Sequence, residues 1–119
     1  MIRTLSLFAA ALICLTIFIT TSAKSENFNG NELHALCISK PNTWEKGFCD
    51  GYIMGVFEGM EMMKLKGSPV ALCIPKNVTS KHILDVVYQY IKNGRAEWHL
   101  GGAHLVNRAI NKAWACHKR

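Results

Sequence analysis

The side chains best suited to nucleophilic, redox or metal chemistry are the five cysteines and five histidines of this 119-residue chain. Zinc sites gather cysteines and histidines in closely spaced pairs. Here no C-x2-C or H-x3-H pair occurs among Cys14, Cys37, Cys49, Cys73 and Cys116 and His34, His82, His99, His104 and His117. His99 and His104 are five positions apart and do not share a helix face. Asp50, Glu58 and Glu61 fall on one predicted helix, where Glu58 and Glu61 suit a solvated edge better than an acid–base pair. The expectation is therefore no catalytic residue, no metal site and no cofactor. What remains for the cysteines is the disulfide.

The N-terminus sets the compartment in which disulfides would form. "MIRTLSLFAAALICLTIFITTSAKSE" places Arg3 before an apolar run from Leu5 to Ile19, and small residues follow at Thr21, Ser22 and Ala23. That is the layout of a secretory signal peptide. The alternative, an uncleaved anchor, needs a longer apolar span. Cleavage after residue 23 leaves a single domain at 24–119, with no stable membrane anchor and an expected periplasmic location. Cys14 leaves with the leader. It is also a poor lipid-attachment site, since bulky Ile13 precedes it. The even set Cys37, Cys49, Cys73 and Cys116 then reads as a two-disulfide scaffold, as expected of a domain too small to rely on its core alone. The formal charge of the chain is +6, and Lys64, Lys66, Lys76, Lys81 and Lys92 give it a basic cast. In an exported protein this suggests acidic partners or envelope polymers rather than nucleic acid.

The elements that position these residues are helices; no stretch reads as a strand. A short helix opens at Asn31, with Leu33, Leu36 and Cys37 on one face, and "SKPNT" breaks it. A long helix is expected over roughly 43–66, stopped by Gly67-Ser68-Pro69. "VALCIPKN" reads as an extended connector. Thr79 reads as the N-cap of a third helix, which is also the natural role of the "NVT" triplet. Ile83, Val86, Val87, Tyr90 and Ile91 form its apolar face, and Asn93-Gly94 ends it. A last helix is expected over roughly 96–115, with Trp98, Gly102, Leu105, Val106, Ala109, Ile110 and Ala113 at helical spacing. Short links make neighbours antiparallel. Of three pairings, this layout favours Cys37–Cys49 at one corner and Cys73–Cys116 at another.

The long helix poses a problem. "WEKGFCDGYIMGVFEGMEMMK" carries Gly47, Gly51, Gly55 and Gly59 on one ridge. Each interior glycine costs about 1 kcal/mol relative to alanine, and four cost roughly 3–4 kcal/mol. Trp44, Phe48, Tyr52, Val56, Met60 and Met63 recur at helical steps. Glu45, Lys46, Asp50, Glu58 and Glu61 exclude a bilayer span. A ridge without side chains admits another backbone at close range. It could come from the small-residue last helix (Gly101, Gly102, Ala103, Ala109, Ala113) within one subunit, or from a partner or a second copy.

"CDGYIMGVFEG", "CIPKNVTSKHILDVVYQYI" and "HLVNRAINKAWAC", in this order, resemble the Tai/Rap family of type VI secretion amidase immunity proteins. The resemblance rests on Cys49, Gly51, Tyr52 and Gly55, on Cys73, Pro75, Val78 and Thr79, and on Leu105, Val106, Ala109, Ala113 and Cys116, with Cys37 upstream. It implies a small periplasmic all-α protein with two disulfides, often a homodimer. The implied partner is a cognate peptidoglycan amidase effector, whose Cys-His active-site cleft the protein blocks. The family usually has a proline between its last two helices, whereas this chain has "NGRAEWHLGGAH".

The residues themselves agree in kind: a stapled, exported, non-enzymatic helical domain works by its surface. The candidate contact is the turn Asn93, Gly94 and Arg95 with Trp98 beside it. Gly94 permits a tight turn, Arg95 offers a fork of donors, and Trp98 is a large anchor. The plainer alternative makes Trp98 core and Arg95 merely solvated. A second candidate surface is the acidic, methionine-rich end of the long helix around Glu58, Glu61 and Met62. The alternative function is a general envelope protein or an acid-stress chaperone, which would expose apolar surface at low pH. A small hydrolase is disfavoured by the missing nucleophile and base.

Overall fold

The computed structural model describes residues 28–65 and 72–116. The expected signal peptide at 1–23, the Gly67-Ser68-Pro69 stop and His117 lie outside the described residues. Four α-helices form: α1 (Gly30–Cys37), α2 (Trp44–Leu65), α3 (Ser80–Asn93) and α4 (Gly102–Trp114), with a 3-10 turn at Arg95–Glu97. Among the described residues there is no strand, only two isolated bridges, Asn29 with Gly101 and Leu72 with Ala115.

Local chemistry explains the ends. Asn29 Oδ1 accepts from the amides of Asn31 and Glu32, and Glu32 Oε2 accepts from the Asn29 amide at 2.8 Å. This reciprocal capping box starts α1 one residue earlier than expected. Thr79 Oγ1 accepts from the His82 amide at 3.3 Å and caps α3 as the sequence predicts. Gly94 closes that helix, its amide donating to the Ile91 carbonyl.

The core is a single cluster of Leu33 from α1, Cys49, Ile53 and Met60 from α2, Ile83, Val87 and Ile91 from α3, and Val106, Ala109 and Ile110 from α4. Each large side chain buried there contributes about 1.5–3 kcal/mol. Two disulfides close the corners as the antiparallel layout predicts. Cys37 and Cys49 have Cα atoms 5.2 Å apart, and Cys73 and Cys116 4.9 Å. The Cys73–Cys116 link sits beside the Leu72–Ala115 bridge, where the Cys73 amide donates to the Trp114 carbonyl at 2.8 Å. The far end of α2 reaches the same corner, through Lys64 Nζ donating to the Leu72 carbonyl at 2.7 Å.

Two expectations are corrected. The last helix does not begin near 96: a 3-10 turn and a bend precede it, and α4 starts at Gly102. The carbonyls of Trp98 and Leu100, which a continuous helix would use internally, instead accept from the amides of Asn31 and Gly30. Trp98 therefore lies in the connection, not on the helix. The second correction concerns α2. Among the described residues a Cβ built on Gly47, Gly51, Gly55 or Gly59 meets nothing within 4 Å, so the ridge does not pack against α4. The buried face of α2 is Cys49, Ile53 and Met60, while Trp44, Phe48 and Met63 of the expected apolar series are exposed. Periodicity could not orient this helix because it is apolar nearly all round. A close approach between segments is instead allowed by Gly30, where a Cβ would sit 2.7 Å from the Trp98 Cα.

Candidate functional site

The connection between α3 and α4 is a built turn. The Glu97 amide donates to the Gly94 carbonyl at 2.9 Å, the Trp98 amide to Arg95 at 3.2 Å and the Leu100 amide to Glu97 at 2.9 Å. Gly94 has φ −98°, so it does not use the left-handed freedom of glycine. Its contribution is space, because a Cβ there would stand 2.9 Å from the Tyr90 carbonyl oxygen. The turn is docked on α1 through the Asn31 amide and Nδ2, both donating to the Trp98 carbonyl at 3.1 and 3.2 Å.

Trp98 is partly buried. Its Nε1 donates to the Ile91 carbonyl at 2.8 Å, and its ring stacks on His34 with centroids 3.9 Å apart. The indole thus ties the turn to both α1 and α3 without joining the buried core cluster. Arg95 is exposed, its guanidinium 5.8 Å from the indole centroid. Burial lowers the pKa of the His34 imidazole, and the Arg95 charge lowers it further.

Glu97 anchors the other side of the turn. Tyr90 Oη donates to its Oε2 and Arg108 Nη1 to its Oε1, each at 2.8 Å. These bonds hold the Glu97 carboxyl below its usual pKa range, the Tyr90 bond first among the causes, while burial and Glu97 push the Tyr90 phenol up. Beside them lies an open recess of about 530 Å³ between α3 and α4, bordered by Val86, Tyr90, Asn93, Gly94, Glu97 and Lys112.

The structure therefore brings Asn93, Gly94, Arg95 and Trp98 together. Glu58 and Glu61 do not join them: they lie in the last two turns of α2, the end that meets Leu72. Glu58 is exposed, and Glu61 Oε1 is enclosed without a hydrogen-bond partner among the described residues. Sequence reasoning missed the Tyr90–Glu97–Arg108 network, the His34–Trp98 stack and a cluster of Lys46, Asp50 and Tyr88. In that cluster Lys46 Nζ pairs with Asp50 at 2.6 Å, and the Tyr88 hydroxyl donates to Asp50 and accepts from Lys46. Only the Lys46–Asp50 spacing of four was available as a local signal; the others join residues that a linear pattern does not relate.

Among the described residues no group of His, Cys, Asp and Glu could hold a metal ion, and no helix is long and apolar enough to cross a membrane. A family model described as Rap1a immunity proteins matches residues 29–116, from the α1 cap to the last half-cystine. No curated protein matches the chain.

Proposed function

The chain belongs to the Rap1a immunity protein family, and from that premise we propose that it binds a type VI secretion peptidoglycan amidase in the periplasm and blocks the active-site cleft. Membership itself points to an immunity function against a secreted effector. The family is generally non-enzymatic, and this chain would act by occupying a surface. The observation that carries the finer reading is the pre-formed turn. Asn93, Gly94 and Arg95 stand on a frame already fixed by Trp98, Glu97 and α1, so little conformational entropy is lost on docking. Arg95 is exposed and supplies a planar fork for a carboxylate or for backbone carbonyls lining a cleft. The test is periplasmic co-expression of the cognate amidase with Arg95→Glu. Loss of protection at an unchanged melting temperature is the expected result; full protection and unaltered binding would move the contact elsewhere.

The same proposal includes a homodimer through the outer face of α2. Opposite its buried face the helix shows Trp44, Phe48 and Met62, 71%, 46% and 60% exposed, interleaved with the open glycines. A 22-residue helix is about 33 Å long, and its bare ridge lets a second helix approach closely. Sedimentation analysis of the mature chain and of Gly55→Leu tests this. The variant should be monomeric and folded; a monomeric parent chain, or a variant that still dimerises, would refute it.

A further inference from the structure

On the opposite side of the last turn of α3 lies a second recess, about 260 Å³, where α1, α2 and α3 meet. Its walls are apolar: Ile38, Ile91 and Cys37, the last fixed by its disulfide to Cys49. Its rim carries His34, Lys46 and Lys92, with the Tyr88 ring between them. Ile38 at the lip is 68% exposed. The volume is below the roughly 300–1,000 Å³ of pockets that enclose whole small-molecule ligands. It suits a single large side chain presented by a protein surface, the kind of anchor that dominates interface energies.

The charges say what must surround that anchor. Lys46 is committed inside the fold, to Asp50 and to the Tyr88 hydroxyl, with its ammonium 3.8 Å from the centre of the Tyr88 ring. Lys92 and Arg95 form no ion pair among the described residues. Arg95 lies on the far side of the Trp98 ring: its guanidinium is 5.8 Å from the indole centroid, and the indole stacks on His34 at 3.9 Å. The carboxylate beside the recess, Asp50, is taken by Lys46 and Tyr88. An apolar recess with one unpaired cation on its rim, Lys92, and a second nearby beyond the Trp98 ring, Arg95, favours a partner that brings carboxylates.

We propose that this recess is a second docking point, accepting one aromatic or branched aliphatic side chain of a protein partner whose neighbouring carboxylates pair with Lys92 and Arg95. The inference rests on the reading that the domain acts by binding an effector protein. It adds a contact that reaches the partner beyond the cleft-blocking turn. Trp98 joins the two, because its ring stacks on the recess residue His34 and its backbone belongs to the turn.

The test uses the mature chain with labelled isoleucine methyl groups and three capped tripeptides: Asp-Phe-Glu, Lys-Phe-Lys and Asp-Gly-Glu. Titration to millimolar concentration with Asp-Phe-Glu should shift the Ile38 and Ile91 methyls in a saturable way. Lys-Phe-Lys should bind about tenfold more weakly or worse, and Asp-Gly-Glu should not shift them. Ile38→Glu and Lys92→Glu, both at exposed positions, should each weaken the Asp-Phe-Glu response at an unchanged melting temperature. Absent shifts, equal binding of Lys-Phe-Lys, or shifts confined to other isoleucines would overturn the proposal. So would decanoate binding tighter than Asp-Phe-Glu, which would make the recess a site for a free amphiphile. None of these readings uses an amidase. Recess binding with failed amidase protection would therefore remove the proposed effector and leave the recess in place.

Discussion

Replacing the α2 glycines with alanine separates what the helix needs from what a partner needs. Among the described residues of one chain, a Cβ at Gly47, Gly51, Gly55 or Gly59 enters open space. The substitution therefore carries no steric term in the monomer. It should gain helix propensity, about 0.8–1 kcal/mol per site in the helix interior, partly by restricting the unfolded chain. Gly51→Ala with Gly55→Ala should thus stabilise the monomer by about 1.5–2 kcal/mol. For a domain of this size, 1 kcal/mol shifts the melting temperature by about 4–8 °C, so the double variant should melt roughly 6–16 °C higher. The assay is urea and thermal unfolding at concentrations where sedimentation shows monomer. Association should move in the opposite direction, because two methyl groups per copy hold the paired backbones apart. A lower melting temperature of the monomeric double variant would refute the reasoning, since it would require something within the chain to rest on the ridge. Higher monomer stability with unchanged association would refute the dimer face and leave the glycines without an explanation.

Gly30→Ala should behave in the opposite way, losing at least 1–3 kcal/mol by overpacking, because its Cβ would strike the Trp98 backbone; urea unfolding reads this directly. Removing the Cys73–Cys116 link as a double serine variant should cost about 4 kcal/mol and removing Cys37–Cys49 about 3 kcal/mol on the chain-entropy model, given sequence separations of 43 and 12. The order of the two urea midpoints checks it. His34 has a folded-state pKa below its ordinary value, from burial first and Arg95 second, so the unfolded chain takes the proton first as pH falls. Stability should be full above about pH 6.5 and decline below it toward the folded pKa. His34→Phe, which keeps a ring on Trp98, should flatten that slope in urea midpoints measured from about pH 7 to pH 5.

How far the fold could be read from the sequence depended on how one-sided each helix is. α3 alternates apolar and charged faces, so its cap at Thr79, its end at Asn93 and its buried Ile83, Val87 and Ile91 were all legible. The disulfide pairing followed, because short links leave few antiparallel layouts and the four cysteines sit at helix ends and first turns. The start of α4 was not legible. Trp98 and Gly102 keep helical spacing with Leu105, yet the carbonyls of Trp98 and Leu100 are claimed by α1 across about seventy residues of sequence. A non-local hydrogen bond leaves no periodic trace. The candidate site shares this division. Asn93, Gly94 and Arg95 announce a turn by their types, whereas the supports that make it rigid, Glu97 with Tyr90 and Arg108, come from three separate elements.

α2 is the informative failure. Apolar side chains on every flank predict burial on every side, and the single chain covers only Cys49, Ile53, Met60 and their neighbours. The opposite flank keeps the composition of an interface: large exposed apolar residues, four glycines that lower helix stability, and Glu58 as its charge. Among the described residues Phe48 of that flank packs edge-on against Phe28, with ring centroids 5.8 Å apart, while the four glycines cost several kcal/mol. The expected internal contact with α4 is absent among the described residues, and the proposed second copy would supply a contact here in its place. A second copy fits this flank, because an isologous pair sets the same ridge against itself and each bare backbone meets one equally bare.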